Sequence, residues 1–271
     1  MKSINPWMQK EFIGIDFSGA VDAGRAIWIA SGHYIDGGIK IVDCRAAKDL
    51  LESGRKRDEA ISALREYISR KDNAVVGCDF PFSLPGQLIE QRRWKEFIVK
   101  FPETYTSPGH FRDCCLKLAG GREIKRKSER TSGAPFCAYN LRLFRQTYYG
   151  ICDLLYPLLA AGRASVLPMQ NGKKGRAWLM EVCPASFLKR EGHYPSYKGR
   201  EYENFQARLS IVEFLESGKG LEFATNELRG KVLNNYGGDA LDSVISAYCA
   251  LFAGNKMPPA GEAEPEGYIF Y

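Results

Sequence analysis

Histidine occurs only three times in the 271 residues, at 33, 110 and 193, and none of the eight cysteines stands in a Cys-x-x-Cys pair. That scarcity excludes zinc ribbons and fingers, which need paired thiolates and imidazoles at short spacing. The thiols at 44, 78, 114, 115, 137, 152, 183 and 249 fall mostly within apolar runs and read as reduced core residues. No apolar run approaches the roughly 20 residues that cross a bilayer. The start, MKSINPWMQKEF, lacks a signal peptide's apolar core, so the chain reads as intracellular and cytoplasmic with no membrane partner. Neither a Walker A loop nor a G-x-G-x-x-G fingerprint is present. Ser186 lies near Cys183, but no histidine is evidently placed to activate either, which leaves nucleophilic catalysis unsupported. There is no internal repeat and no low-complexity tract.

What is present is an ordinary globular composition, 45% hydrophobic and 26% charged, long enough for a sizeable core. The charge is unevenly placed. Residues 111–147 hold nine Lys/Arg against three acids, so this one segment carries the whole net charge of +6. Concentrated basic charge suits a polyanion, nucleic acid above all, with Arg122, Lys125, Arg126, Lys127, Arg130, Arg142 and Arg145 as the candidate grip. A solvated helical face is the alternative reading. Aromatics in and beside the segment (Phe111, Phe136, Tyr139, Phe144, Tyr148, Tyr149) have the chemistry to stack bases, although their helical spacing favours a core role.

Along the chain, 11–16, 25–31 and 38–44 read as three strands in quick succession, whose short links favour antiparallel hairpins. RDEAISALREYISR (57–70) has the stripe of an amphipathic helix, and NAVVGCDF (73–80) is a buried strand stopped by the prolines of PFSLPG. Residues from about 86 to 175 read as a helical and loop insertion, with helices near 87–100 and 139–160. Another strand is expected at 175–184, helices near 200–217, 221–234 and 239–253, and a terminal edge strand in EGYIFY. The order predicts one α/β domain with a mixed sheet: three antiparallel strands, then parallel ones.

Five acids share one trait, a position at a strand exit or a helix start. They are Asp16 in GIDFSG, Asp79 in GCDFPF, Glu181 in MEVCP, and the pair Asp239/Asp242 in GGDALDSVISA. Each has a local explanation. Asp16 and Asp79 suit turns, Asp239 an N-cap, and Asp242 the helix dipole. Together they point further, because gathered carboxylates repel unless a cation neutralises them, and hard oxygen donors favour Mg²⁺ or Mn²⁺. Two such ions activate water and stabilise the leaving oxygen in phosphodiester cleavage.

The strand and acid order resembles the ribonuclease H-like superfamily, and the D-x-x-D pair opening the last helix resembles its Holliday-junction resolvases. More narrowly, GIDFSGA, VGCDFPFSLP, EVCPASFL and GGDALDSVISA are similar to domain of unknown function 429, a family described as predicted ribonuclease H-like nucleases. The resemblance spans residues 14–247 and implies a nuclease with Mg²⁺ or Mn²⁺, two ions, held by Asp16, Asp79, Asp239 and Asp242. It makes Glu181 a ligand or a supporting residue. Gly238 departs from the pattern, since relatives often carry His or another polar residue there, and Ser243 follows Asp242 where a small apolar residue is usual. Two other functions remain as expectations: an actin-like or sugar-kinase-type phosphotransferase, whose first phosphate loop GIDFSG faintly resembles, and an inactive nucleic-acid-binding module of the same fold. The choice of DNA or RNA and the oligomeric state stay open.

Overall fold

The computed structural model describes residues 10–259 and 261–271. Eight strands, β1 (Glu11–Asp16), β2 (Trp28–Ile35), β3 (Gly38–Ala46), β4 (Ala74–Asp79), β5 (Ala164–Leu167), β6 (Ala177–Val182), β7 (Leu221–Phe223) and β8 (Ile269–Phe270), join one sheet. Its order is β5-β6-β4-β1-β2-β3-β7, with β8 also on β6. β1–β2 and β2–β3 pair antiparallel, whereas β4 on β1, β6 on β4, β5 on β6 and β7 on β3 are parallel. The mixed α/β sheet expected from the sequence, antiparallel across its first three strands and parallel beyond them, is therefore present. The helices are α1 (Ala23–Ala26), α2 (Arg57–Ser69), α3 (Trp94–Thr104), α4 (Pro108–Leu118), α5 (Lys127–Ser132), α6 (Phe144–Tyr149), α7 (Tyr156–Ala160), α8 (Pro184–Arg190), α9 (Tyr202–Lys219), α10 (Asn226–Leu233) and α11 (Asp239–Ala253).

Side-chain alternation sends successive strand residues to opposite faces, each covered by its own apolar layer. On one face Ile13, Ile15, Val76, Cys78 and Leu179 meet Ile61, Leu64 and Ile68 of α2 and the insertion's aromatics. On the other, Phe12, Ala30, Val75, Met180 and Val182 meet α8, α9, α10 and above all α11. Thirteen of the fifteen residues of α11 are buried, which its apolar composition on all sides requires. None of the helices among the described residues is long and apolar enough to cross a membrane.

Several boundaries differ from the sequence reading. β2 begins at Trp28, because 23–26 form a helical turn, and it runs on to Ile35 through a register shift at Ser31/Gly32. The helix read at 87–100 starts at Trp94, after a 3-10 turn at Gly86–Leu88. The segment read as one helix at 139–160 becomes helical at Phe144 and widens into a π-helix over Gly150–Leu155 before α7. β5 lies within the stretch read as helix and loop, and β7 occupies the expected start of the 221–234 helix. The terminal strand is Ile269–Phe270, parallel to β6 at Glu181 and Val182, just beyond the residues that β5 covers. All eight cysteines are free.

Candidate active site

The site begins with a coincidence of register. β1 and β4 both carry Gly-x-Asp, and their parallel pairing sets Gly14 beside Gly77 and Asp16 beside Asp79. In a strand, residues two apart share a face, so both acids point to the α11 side where the glycines are. The glycines make the docking possible. A Cβ at Gly14 would lie 1.9 Å from the Ser243 carbonyl oxygen and 2.2 Å from the Ala247 nitrogen, and one at Gly77 would lie 2.5 Å from the Ser246 oxygen. With no side chain there, α11 seats directly on the two strands, and its first turn is carried over their carboxyl ends.

That turn starts from Gly238, whose φ of +79° is left-handed and whose missing Cβ leaves room for the Tyr197 ring, 2.9 Å from where it would stand. A polar side chain at 238 would strain the backbone and collide, which accounts for the departure from the resembling pattern. Gly238 takes the cap position, so Asp239 is the first helical residue and not the cap. Asn235 Oδ1 serves the helix start instead, accepting from the Ala240 N–H at 3.2 Å. In the turn after Asp16, the Ala20 N–H goes to Ser18 Oγ at 3.3 Å.

Asp16, Asp79, Glu181 and Asp242 line one cavity of about 360 Å³. Asp16 and Asp242 are 9% and 2% exposed, and Asp239 is within hydrogen-bonding reach of Asp16. Burial, then the neighbouring charge of Asp242, pushes the Asp16 carboxyl well above its usual range and that of Asp79 up to about 8. Burial also raises Asp239, against the pull of Lys198.

A residue that sequence reasoning missed sits among them. Lys198 Nζ lies 2.7 Å from Asp242 Oδ2, and the Tyr197 hydroxyl donates to Asp242 Oδ1 at 2.7 Å. Burial opposes the charge on Lys198, but Asp242 and Asp16 outweigh it and hold the ammonium above its ordinary value. Both oxygens of Asp242 are thereby engaged. Among the described residues, no three His, Cys, Asp or Glu side chains are spaced as a ready-made metal site.

Glu181 is differently engaged. It pairs with Cys78, not Asp79, so the pleat turns it toward the opposite face. There Arg126 grips it with Nη1 to Oε2 at 2.8 Å and Nη2 to Oε1, while the Phe82 N–H donates to Oε2 at 2.9 Å. Arg126 also binds Glu129 Oε1 through Nε at 2.8 Å and donates to the Glu266 carbonyl at 3.1 Å. This corrects the place of Arg126 in the basic grip. It is 0% exposed and fixes the loop after β4 from inside.

The other basic candidates divide by position. Arg122, Lys127, Arg130, Arg142 and Arg145 are exposed and Lys125 is half-buried. Lys127 is paired with Glu262 at 3.3 Å, Lys125 donates to the Ala134 carbonyl at 2.5 Å, and Arg130 to the Lys125 carbonyl. Arg142, stacked at 5.2 Å over Phe136, lines the cavity with it. Arg145 stacks at 4.7 Å over Phe144. In the same helix Gln146 Nε2 donates to the Asp79 carbonyl at 2.5 Å, which ties the insertion to the strand exit. Phe111, Tyr139 and Phe144 are core, and Phe136, Tyr148 and Tyr149 are half-buried.

No family model matches the chain. No curated protein matches it in sequence. Among solved structures it is similar to the crystal structure of the yeast mitochondrial Holliday junction resolvase, with 11% identity, a TM-score of 0.44, and 92% of this chain and 83% of that one covered.

Proposed function

We propose that the chain is a metal-dependent nuclease that hydrolyses phosphodiester bonds in nucleic acid, as its resemblance to domain of unknown function 429 implies. The observation that carries this reading is the meeting of Asp16, Asp79 and Asp242, from three separate elements, on the wall of one cavity with Arg142 and Phe136 at its rim. Such a group is costly to gather, and a local turn or cap role explains none of the convergence. Asp79 has no ion pair or hydrogen bond to its carboxylate among the described residues, so the acids outnumber the one ammonium beside them. Hard, buried, under-neutralised oxygens fit Mg²⁺ or Mn²⁺, with Asp16, Asp79, Asp239 and Asp242 as the residues that would hold it. A bound divalent ion supplies a more acidic water and offsets charge on the phosphate.

The chain's own residues do the rest. Tyr197 orients Asp242, Arg126 holds Glu181 and through it the Phe82 N–H, and Gln146 braces the backbone of Asp79. Arg142 is placed to meet a phosphate, and Phe136 offers a face beside it. An actin-like phosphotransferase needs a second comparable sheet, whereas all described strands join one. The test is cleavage of labelled single-stranded, duplex and branched DNA and RNA in Mg²⁺ or Mn²⁺. Asp16→Asn lowers turnover by at least about a hundredfold. Tight binding with no cleavage of any substrate in either metal would make the chain a binding module instead.

A further inference from the structure

Lys198 belongs to no motif, yet the loop that carries it is fixed on both sides. Arg208 of α9, 1% exposed, donates through Nη1 to the carbonyls of Tyr197 at 2.6 Å and Gly199 at 3.0 Å, and through Nε to that of Leu233 at 2.7 Å. Gly199 N–H in turn donates to the Tyr236 carbonyl at 2.8 Å. Burying a guanidinium against carbonyls, with no carboxylate partner among the described residues, is a costly way to hold a loop. What it secures is the placement of two consecutive side chains, Tyr197 and Lys198, one on each oxygen of Asp242.

We propose that Lys198 is the built-in cation of the acidic site, a positioning residue that holds Asp242 where a second metal ion would sit, so that the free protein takes up one divalent ion and not two. This rests on the metal-site reading above and replaces the two-ion expectation. The geometry supports it. Both oxygens of Asp242 are already taken, Oδ2 by the Lys198 ammonium and Oδ1 by the Tyr197 hydroxyl, so neither is open to a second ion. An ion that reached Asp242 would have to displace Lys198.

The experiment is equilibrium titration of the full chain with Mn²⁺ alone, following free Mn²⁺ by electron paramagnetic resonance, with no nucleic acid present. The wild type binds one ion. Lys198→Met, which keeps the stem and removes the charge, binds the first ion at least about tenfold more tightly and accepts a second. Lys198→Arg keeps a cation and retains a stoichiometry of one. Melting temperatures in chelator and in Mn²⁺ separate this from mere support of the loop. Loss of a structural contact lowers both equally, whereas a displaced cation makes the Mn²⁺-induced rise larger in Lys198→Met than in wild type. Unchanged affinity and stoichiometry in Lys198→Met, two ions in the wild type, or no Mn²⁺ bound by either protein would each overturn the proposal. The readout is metal occupancy, so absent cleavage with this pattern intact would count against the nuclease reading alone.

Discussion

Gly14→Ala adds one methyl group at the point where α11 rests on β1. That methyl would stand 1.9 Å from the Ser243 oxygen, 2.2 Å from the Ala247 nitrogen and 2.8 Å from the Ser246 carbonyl carbon. All three are backbone atoms, so no rotamer change relieves them. Carbon contacts settle near about 3.5 Å, so the helix must retreat by about 1.5 Å there, and a gap of even about 1 Å forfeits up to half of each dispersion contact around it. The cost therefore belongs at or above the top of the overpacking range, about 3 kcal/mol. With a urea slope of about 3 kcal/mol per molar, the midpoint falls by about 1 M or more. Gly230→Ala is the matched control. It lies inside α10, a Cβ there meets nothing within 4 Å, and it exchanges the poor helix former glycine for the best, a gain of about 0.8–1 kcal/mol. Urea unfolding followed by circular dichroism should thus shift in opposite directions for one chemical change at two sites. A Gly14→Ala midpoint within about 0.2 M of wild type, at the same slope, would refute the docking argument.

Other consequences are as direct. Arg126→Met strands Glu181 and Glu129 without their cation and should cost about 3–5 kcal/mol in urea unfolding, with part of it recovered in Arg126→Met/Glu181→Gln; a loss under about 1 kcal/mol would show the network to be dispensable. In the metal-free protein, Asp79 has its folded pKa raised by burial and Asp242 to about 8. Its stabilising contribution is then complete below the unfolded value near about 4 and is lost as pH rises through about 8. The melting temperature in chelator should accordingly fall across that window, and Asp79→Asn, neutral throughout, should flatten the fall; an unchanged slope would remove Asp79 as its source. Arg142→Ala with Arg145→Ala should weaken nucleic-acid binding and shallow the dependence of log affinity on log salt by up to about two contacts; a salt slope identical to wild type would place the grip elsewhere.

Much of the sheet was legible because its strands are short apolar runs closed by an acid or a proline, and α2 and α11 because their stripes repeat at helical spacing. What escaped detection had contrary or weak local signals. ASVL is four residues long and gains its strand character from pairing with β6. His33 and Tyr34 continue β2 past Gly32, which by itself suggests a turn. In the site, the acids stood out because carboxylates are rare at the ends of buried strands. Lys198 did not, since a lysine in a polar loop looks like any other until α9 and α11 bring it to Asp242. Arg126 misled for the opposite reason. It sits in a run of basic residues that look solvated, and only the packing of β6 and Glu129 reveals a buried partner on each side.

The shared two-residue offset between glycine and acid on β1 and β4 makes the sheet its own proofreader. If β4 slipped by one residue along β1, Cys78 or Phe80 would stand opposite Asp16, and a side chain would enter the gap that α11 needs. The helix would then have no seat, and Asp239 and Asp242 would not be delivered. The acids can therefore be crowded together only in a chain whose central pairing is already right. Without that helix Asp16 and Asp79 would stand side by side in water, and it is the docking of α11 that adds both the burial and the charge of Asp242.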